Sequence, residues 1–152
     1  MNDKKQRVLL VEDDEALHIV LKDSFGRAGF EILSAKNGQE GLDMALREHP
    51  DLILLDIMMP IMDGITALRK LREDEWGAKV PVFILTNSFD VGTMAETMES
   101  HILQYVIKAE VDMEKLVEQV KTALVPATEH KTKRGSFDVA PSGETQRAEY
   151  SQ

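Results

Sequence analysis

The length, composition and charge of the chain exclude several classes of protein. Its 152 residues fit one ordinary domain with a short tail. With 43% hydrophobic and 30% charged residues it can bury a core, which excludes a wholly disordered chain. There is no cysteine, so disulfides and thiolate metal sites are excluded. The net charge of -9 gives no basic surface that would attract the phosphates of a nucleic acid.

The sequence shows no membrane-spanning or secretion segment. Its apolar runs, such as 8–11 and 52–55, are far shorter than the roughly 20 residues that span a bilayer. The start, MNDKKQRVLLVEDD, lacks the sustained apolar stretch of a signal peptide. We therefore expect a soluble cytoplasmic protein that neither inserts into a membrane nor binds nucleic acid.

Short apolar runs alternate with segments of helical period, which predicts repeated strand and helix units. The predicted strands are 8–11, 31–35, 52–55, 82–85 and 103–107. Most of them are apolar at nearly every position, which is typical of a parallel sheet covered by helices on both faces.

Apolar stripes predict the helices between and after these strands. In chain order they are Leu17, Val20, Leu21, Phe25 and Ala28; Leu42, Ala45 and Leu46; Ile65, Leu68 and Leu71; a weaker stripe of Val91, Met94 and Met98; and Met113, Leu116, Val117, Val120 and Leu124. Asp112 is the predicted N-cap of the last helix. After Val125 the apolar period ends, which predicts a folded domain over 1–125 and a disordered tail over 126–152.

Polar residues gather where the predicted strands end, at the edge where open parallel sheets hold their functional crevice. They are Glu12, Asp13 and Asp14 after the first strand, Asp56 after the third, Thr86 after the fourth and Lys108 after the fifth. Crowded carboxylates repel one another unless a cation binds between them. Oxygen ligands favour Mg²⁺, which also takes phosphate oxygens.

Asp56 is the best candidate for a nucleophile toward phosphorus. It stands alone at its strand end, whereas Asp13 and Asp14 sit together as a metal-binding pair would. The metal, Lys108 and Thr86 would then neutralise charge on the equatorial phosphoryl oxygens.

Four motifs carry a family resemblance: VLLVEDD at 8–14, DLILLDIMMPIMDG at 51–64, VFILT at 82–86 and YVIK at 105–108. In this order and at these strand ends, they resemble the receiver domain of bacterial two-component response regulators over roughly residues 6 to 125. The resemblance implies a flavodoxin-like α/β fold, a doubly wound parallel sheet of five βα units with strand order 2-1-3-4-5.

The resemblance also implies roles for individual residues. Asp56 is the implied phosphoacceptor; Asp14 is a direct Mg²⁺ ligand, Asp13 acts largely through water, and Asp56 and the Met58 backbone carbonyl complete the metal site. Thr86 and Lys108 are the implied phosphoryl-sensing pair, and Tyr105 is the aromatic residue that changes rotamer.

The implied partners are proteins. The phosphoryl group comes from a sensor histidine kinase or a histidine phosphotransfer protein. The signal leaves through the fourth helix, fifth strand and fifth helix to a downstream protein. Because residues 126–152 are too few for an effector domain, we expect a stand-alone receiver with no enzymatic turnover beyond its own phosphorylation and dephosphorylation.

Some residues depart from the family pattern. Ala109 stands where proline usually follows the lysine, Asn87 is larger than the usual Ala or Gly, and His101 and Ile102 predict an unusual end of the fourth helix. A degenerate receiver that binds partners without phosphorylation is therefore an alternative. Met58 and Ser88 offer no carboxylate or amide to orient water, which predicts a long-lived acyl phosphate.

Other interpretations of these residues remain. A phosphatase of the haloacid dehalogenase type also forms an aspartyl phosphate, but it needs an Asp two residues after the nucleophile, where Met58 stands. An Asp pair before a helix can be an N-cap. Thr86 can satisfy a loop amide, and Tyr105 can be an ordinary half-buried aromatic. The histidines, which are His18, His49, His101 and His130, are interpreted as surface or helix-face residues.

Overall fold

The computed structural model describes residues 4–87, 92, 97 and 100–125. Five strands form one parallel sheet in the order β2-β1-β3-β4-β5. The strands are β1 Arg7–Val11, β2 Glu31–Ala35, β3 Leu52–Asp56, β4 Val82–Thr86 and β5 Gln104–Ile107; the helices are α1 Glu15–Arg27, α2 Gly38–Glu48, α3 Gly64–Arg72 and a C-terminal helix, Met113–Ala123. The predicted flavodoxin-like fold and strand order are confirmed.

Several predictions fall on residues that the structure does not describe. They concern the apolar stripe of the fourth helix (Val91, Met94 and Met98), Ser88, His130 and the tail over 126–152. The chain divides into a unit from Met1 to Val120, which holds the whole sheet, and a second unit from Lys121 to Gln152. Within the described residues, no helix combines the length and apolar character needed to cross a membrane.

The three central strands β1, β3 and β4 position the polar strand ends. Every residue of β3 and β4 is buried, because helices cover both faces of the sheet. All pairings are parallel, so the carboxyl ends of these strands meet at one edge of the sheet. Glu12, Asp56 and Thr86 therefore lie together at the carboxyl edge of the sheet.

The buried face of α1 differs from the predicted stripe. Its buried residues are His18, Leu21 and Phe25, whereas Val20 is 46% exposed. Helical residues advance by about 100°, so His18 and Phe25 share a face with Leu21 while Val20 turns away from it. The prediction that Val20 belongs to the buried stripe is wrong, and the imidazole of His18 is buried on this face instead.

Backbone hydrogen bonds from two glycines, Gly64 and Gly38, hold the loop between β3 and α3. The Gly64 N–H donates to the Ile57 carbonyl at 2.8 Å, and the Gly38 N–H of α2 donates to the Met62 carbonyl at 2.8 Å. A Cβ at Gly64 would overlap the Asp56 carbonyl, and one at Gly38 would overlap the Met62 carbonyl. The backbone after Asp56 therefore has little freedom to move.

Two residues that depart from the family pattern, His101 and Ala109, lie next to β5. His101 adopts the left-handed conformation at φ 57°, which glycine adopts most readily. Arg72 of α3 donates from Nε to the Ser100 carbonyl at 2.8 Å and from Nη2 to the His101 carbonyl at 3.3 Å. Ala109 lies in a short 3₁₀ helix, Lys108–Glu110, that follows β5 directly.

Candidate functional site

A cluster of three carboxylates lies at the carboxyl edge of the sheet. Glu12, Asp13 and Asp56 each offer one oxygen, and these oxygens all lie within 4.8 Å of one another. Glu12 is fully buried and Asp56 is 1% exposed, whereas Asp13 is exposed to solvent. The cluster therefore consists of two buried carboxylates and one that is open to solvent.

The structure places Glu12 in this cluster where the sequence predicts Asp14. Asp14 is the N-cap of α1, and its Oδ1 accepts the Leu17 N–H at 3.2 Å. The first N–H groups of a helix have no partner within the helix, so a carboxylate at this position turns toward them. The N-cap interpretation is the one that the geometry supports for Asp14, and the acidic pair is Glu12 with Asp13.

Lys108 supplies the positive charge of the site. Its Nζ lies 3.2 Å from Glu12 Oε2 and 3.3 Å from Asp56 Oδ1. The lysine follows β5 directly, and its side chain is only 15% exposed. The structure thus brings Lys108 and Asp56 together, as expected from the strand ends.

The electrostatic environment shifts the pKa of two groups. Burial, together with the negative charge of Glu12, raises the pKa of Asp56 to about 7, although the Lys108 ammonium acts in the opposite direction. Burial alone would lower the pKa of Lys108, but the carboxylates of Asp56 and Glu12 outweigh this effect and raise it. One ammonium is not enough to balance three carboxylates.

A divalent cation fits this donor set. Glu12 Oε1 and Asp56 Oδ2 are buried and have no hydrogen-bond partner among the described residues. Buried carboxylate oxygens without a partner are costly, and a hard cation would satisfy them. The residues that could hold Mg²⁺ are Glu12, Asp13 and Asp56.

Thr86 and Tyr105 lie on the neighbouring strands, as predicted. Asp56 is paired with Leu85 in the sheet, so Thr86 stands one residue beyond it on β4. Tyr105 pairs with Ile84, and its hydroxyl lies 2.5 Å from Oγ1 of the fully buried Thr97. The predicted switch residue is therefore hydrogen-bonded to a residue between β4 and β5.

Met58 and Asn87 border the site. The Met58 N–H donates a long hydrogen bond of 3.4 Å to Asp56 Oδ1, and its side chain is 69% exposed. Asn87 directly follows β4 and is exposed. Met58 therefore contacts the buried Asp56 carboxylate through its backbone, while its side chain faces solvent.

Sequence reasoning placed Glu12 among the strand-end carboxylates without assigning it to the metal site, and it missed Thr97. A usable signal existed for Glu12: Asp14 directly precedes the first helical residue, which is the N-cap position, and this leaves Glu12 and Asp13 for a metal. No comparable signal existed for Thr97, because its hydrogen bond to Tyr105 is a tertiary contact.

Comparison with known proteins identifies the family. The family model of the response regulator receiver domain matches residues 8–121. The chain belongs to this family. The receiver domain is a signalling module of two-component systems rather than an enzyme in the usual sense, and receiver domains interact with histidine kinases or phosphotransfer proteins.

Curated relatives of this receiver are longer proteins. It is 38% identical over 102 residues to the regulatory protein AtoC of Escherichia coli, covering 67% of this chain and 22% of AtoC. It is 32% identical over 118 residues to the DNA-binding regulator RpaA of Synechocystis, covering 78% of this chain and 48% of RpaA. The receiver spans about half or less of the length of these relatives.

Solved structures share the fold. A CheY-like receiver domain protein from Methanospirillum hungatei matches with a TM-score of 0.74 and 26% identity, covering 80% of this chain and 94% of that one. The receiver domain of the sensor histidine kinase PA1611 from Pseudomonas aeruginosa matches with a TM-score of 0.73 and 26% identity, covering 80% and 98%. That structure has a magnesium ion coordinated in its active site cleft.

Proposed function

We propose that this receiver accepts a phosphoryl group on Asp56 from a histidine kinase or a histidine phosphotransfer protein, in a reaction that depends on Mg²⁺. The observation that carries the proposal is the buried carboxylate of Asp56 between two other carboxylates and an ammonium. Family membership supports the proposed reaction, since phosphorylation and dependence on Mg²⁺ are general properties of receiver domains.

In the proposed reaction the Asp56 carboxylate attacks the phosphorus of a phosphohistidine. The new bond joins phosphorus to an Asp56 oxygen, and the phosphorus–nitrogen bond breaks. The electron pair of that bond stays on the leaving imidazole. The product on this chain is an acyl phosphate.

The residues around Asp56 have separate roles in this proposal. Lys108 holds Asp56 Oδ1 at 3.3 Å and provides a positive charge beside the incoming phosphoryl oxygens. Glu12, Asp13 and Asp56 would hold the cation, with the Met58 backbone carbonyl as the further ligand implied by the resemblance. A bound Mg²⁺ would offset the clustered negative charge, favour ionised Asp56 and neutralise charge on the phosphoryl oxygens.

The proposed output begins at Thr86 and Tyr105. A new phosphoryl group on Asp56 would attract the hydroxyl of Thr86, which stands one residue beyond Asp56 on the adjacent strand. Movement there would change the packing of Tyr105 and its hydrogen bond to Thr97. The altered surface, around β5 and its neighbouring helices, would then bind a downstream protein.

Phosphorylation with a small phosphodonor tests the proposal without a known kinase. Purified protein is incubated with acetyl phosphate and Mg²⁺, and the mass increase of one phosphoryl group is measured. We expect wild type to be labelled, Asp56→Asn to remain unlabelled with its fold intact, and a chelator to prevent labelling. Asp43→Asn is the matched control, because Asp43 is an exposed carboxylate on α2.

Three outcomes would contradict the proposal. Full labelling of Asp56→Asn would exclude Asp56 as the acceptor. Absence of labelling and of Mg²⁺ binding in wild type would favour the degenerate receiver. Sustained turnover of a phosphomonoester would favour a phosphatase.

A further inference from the structure

His18 occupies an unusual place for an imidazole. It lies on the buried face of α1 with Leu21 and Phe25 and is only 6% exposed. An apolar side chain would fill this position without the cost of removing a polar ring from water. The cost of burying the imidazole therefore has to be offset by a contact that an apolar side chain cannot make.

The ring bonds the backbone at the start of the acidic cluster. His18 Nδ1 lies 3.1 Å from the carbonyl oxygen of Glu12 in a buried environment. Because a carbonyl oxygen can only accept, Nδ1 carries the proton and donates it. Glu12 comes directly after β1, so its carbonyl lies beyond the last residue of the strand.

The bonded carbonyl belongs to the peptide unit that joins Glu12 to Asp13. A peptide unit is planar, so fixing its oxygen also fixes the direction in which the Asp13 backbone continues. The rest of Glu12 is held by its N–H, which donates to Ala35 at 3.1 Å, and by Oε2, which accepts the Asp14 N–H at 2.8 Å. Among the described residues, the His18 ring is the hydrogen-bond partner of the remaining group, the Glu12 carbonyl.

We propose that His18 is a positioning residue: its Nδ1–H holds the Glu12 carbonyl, and thereby aims the carboxylates of Glu12 and Asp13 at the site of the divalent cation. The proposal rests on the proposed function for the identity of that site. It assigns His18 no contact with the cation or the phosphoryl group.

The start of α1 does not require this bond. Asp14 caps the helix through the Leu17 N–H, and the Asp14 carbonyl accepts the His18 backbone N–H at 2.9 Å. Both contacts remain when only the His18 side chain changes. A loss of metal affinity on changing the imidazole would therefore come from the turn that carries Glu12 and Asp13.

Two substitutions separate the hydrogen bond from the packing. In His18→Asn the amide nitrogen stands where Nδ1 stands and can still donate. In His18→Leu the position stays filled but has no donor. Leu21→Ala is the matched control, because it weakens the same buried face and leaves the hydrogen bond from His18 to Glu12 in place.

The first measurement is Mg²⁺ affinity by titration calorimetry on the full chain. Changing a group that orients metal ligands typically weakens binding by about 10- to 100-fold, and we expect a loss in this range for His18→Leu. We expect His18→Asn and Leu21→Ala to bind Mg²⁺ close to wild type. Equal losses in His18→Leu and Leu21→Ala would overturn the proposal in favour of general destabilisation.

The second measurement needs no metal. The Asp14 amide donates to Glu12 Oε2, so its hydrogen exchange reports whether Glu12 is held in place. We expect faster exchange in His18→Leu than in Leu21→Ala, and protection in His18→Asn. The proposal would be overturned if the Asp14 amide stayed protected in His18→Leu. It would also be overturned if His18→Asn failed to fold or failed to protect this amide. Absence of Mg²⁺ binding in wild type would instead contradict the proposed function, and the exchange experiment would still test His18.

Discussion

Lys108 Nζ lies 3.3 Å from Asp56 Oδ1, although β5 and β3 are separated in the sheet by β4. The long lysine side chain reaches across the end of the intervening strand. This contact, with the second one to Glu12 at 3.2 Å, places the positive charge of the site between two buried carboxylates. The charge therefore lies directly beside the carboxylate that we propose as the phosphoacceptor.

Replacing Lys108 with methionine should slow phosphorylation while keeping the fold. A hydrogen bond to a charged group contributes about 1.5–3 kcal/mol, which corresponds to a rate loss of roughly 10- to 100-fold if it is fully lost in the transition state. The rate of labelling by acetyl phosphate measures this effect. Lys115→Met, at an exposed lysine of the C-terminal helix, is the control and should keep the wild-type rate.

The metal-free protein should lose stability as the pH rises from about 4 to about 7. Burial raises the pKa of Asp56 from 3.8 to about 7 in the folded protein, so folding favours the neutral carboxyl. This contribution is fully present below the unfolded pKa and is lost as the pH passes through the folded one, with a slope of at most about 1.4 kcal/mol per pH unit. Urea unfolding with a chelator present measures it.

Asp56→Asn should flatten this pH dependence, because the amide does not titrate. Asp43→Asn, at an exposed site, should leave the slope unchanged. An equal slope in wild type and Asp56→Asn would show that other groups cause the dependence.

Ile61→Asn should stabilise the protein. Ile61 has φ 70°, and the Met62 N–H donates to the Pro60 carbonyl at 2.7 Å, which makes a tight turn around a β-branched residue. Its side chain is 83% exposed, so little packing is lost. Asparagine tolerates this conformation, and we expect a gain of about 1 kcal/mol in the free energy of unfolding. Ile19→Asn, at an exposed isoleucine in α1, should give no gain.

Gly64→Ala should destabilise the protein, whereas Gly26→Ala should not. A Cβ at Gly64 would overlap the Asp56 carbonyl and lie 2.9 Å from Ile57 Cα, but a Cβ at Gly26 has nothing within 4 Å. We expect a loss of about 1–3 kcal/mol at Gly64 and a gain of up to about 1 kcal/mol at Gly26. Thermal unfolding of both variants checks the contrast, and equal effects would contradict it.

Met58→Asn should shorten the lifetime of the acyl phosphate. Met58 is 69% exposed beside Asp56 and has no group that can orient an attacking water, whereas an amide can hydrogen-bond one. The experiment labels the protein with a small phosphodonor, removes the donor and follows the loss of phosphate. An unchanged half-life would count against the predicted long-lived acyl phosphate.

The sequence by itself determined the strands and the position of Asp56 and Lys108 at the strand ends, whereas the strand order was an implication of the family resemblance. Continuous apolar runs such as 52–55 are typical of strands buried on both faces of a covered parallel sheet, and parallel strands bring their carboxyl ends together. The strands and the residues that follow them are local properties of the chain. They need no knowledge of side-chain contacts.

The tertiary structure decided which side chains support the site, and it settled the choice between Glu12 and Asp14, for which the sequence held only an N-cap signal. Glu12 joins Asp13 and Asp56 because Asp14 turns toward the free N–H groups of α1, and this choice depends on where the helix begins. His18 reaches the Glu12 carbonyl, and Tyr105 reaches Thr97, through distances of 3.1 Å and 2.5 Å that packing sets. Apolar periodicity reports burial, but it carries no record of which polar atoms burial brings together.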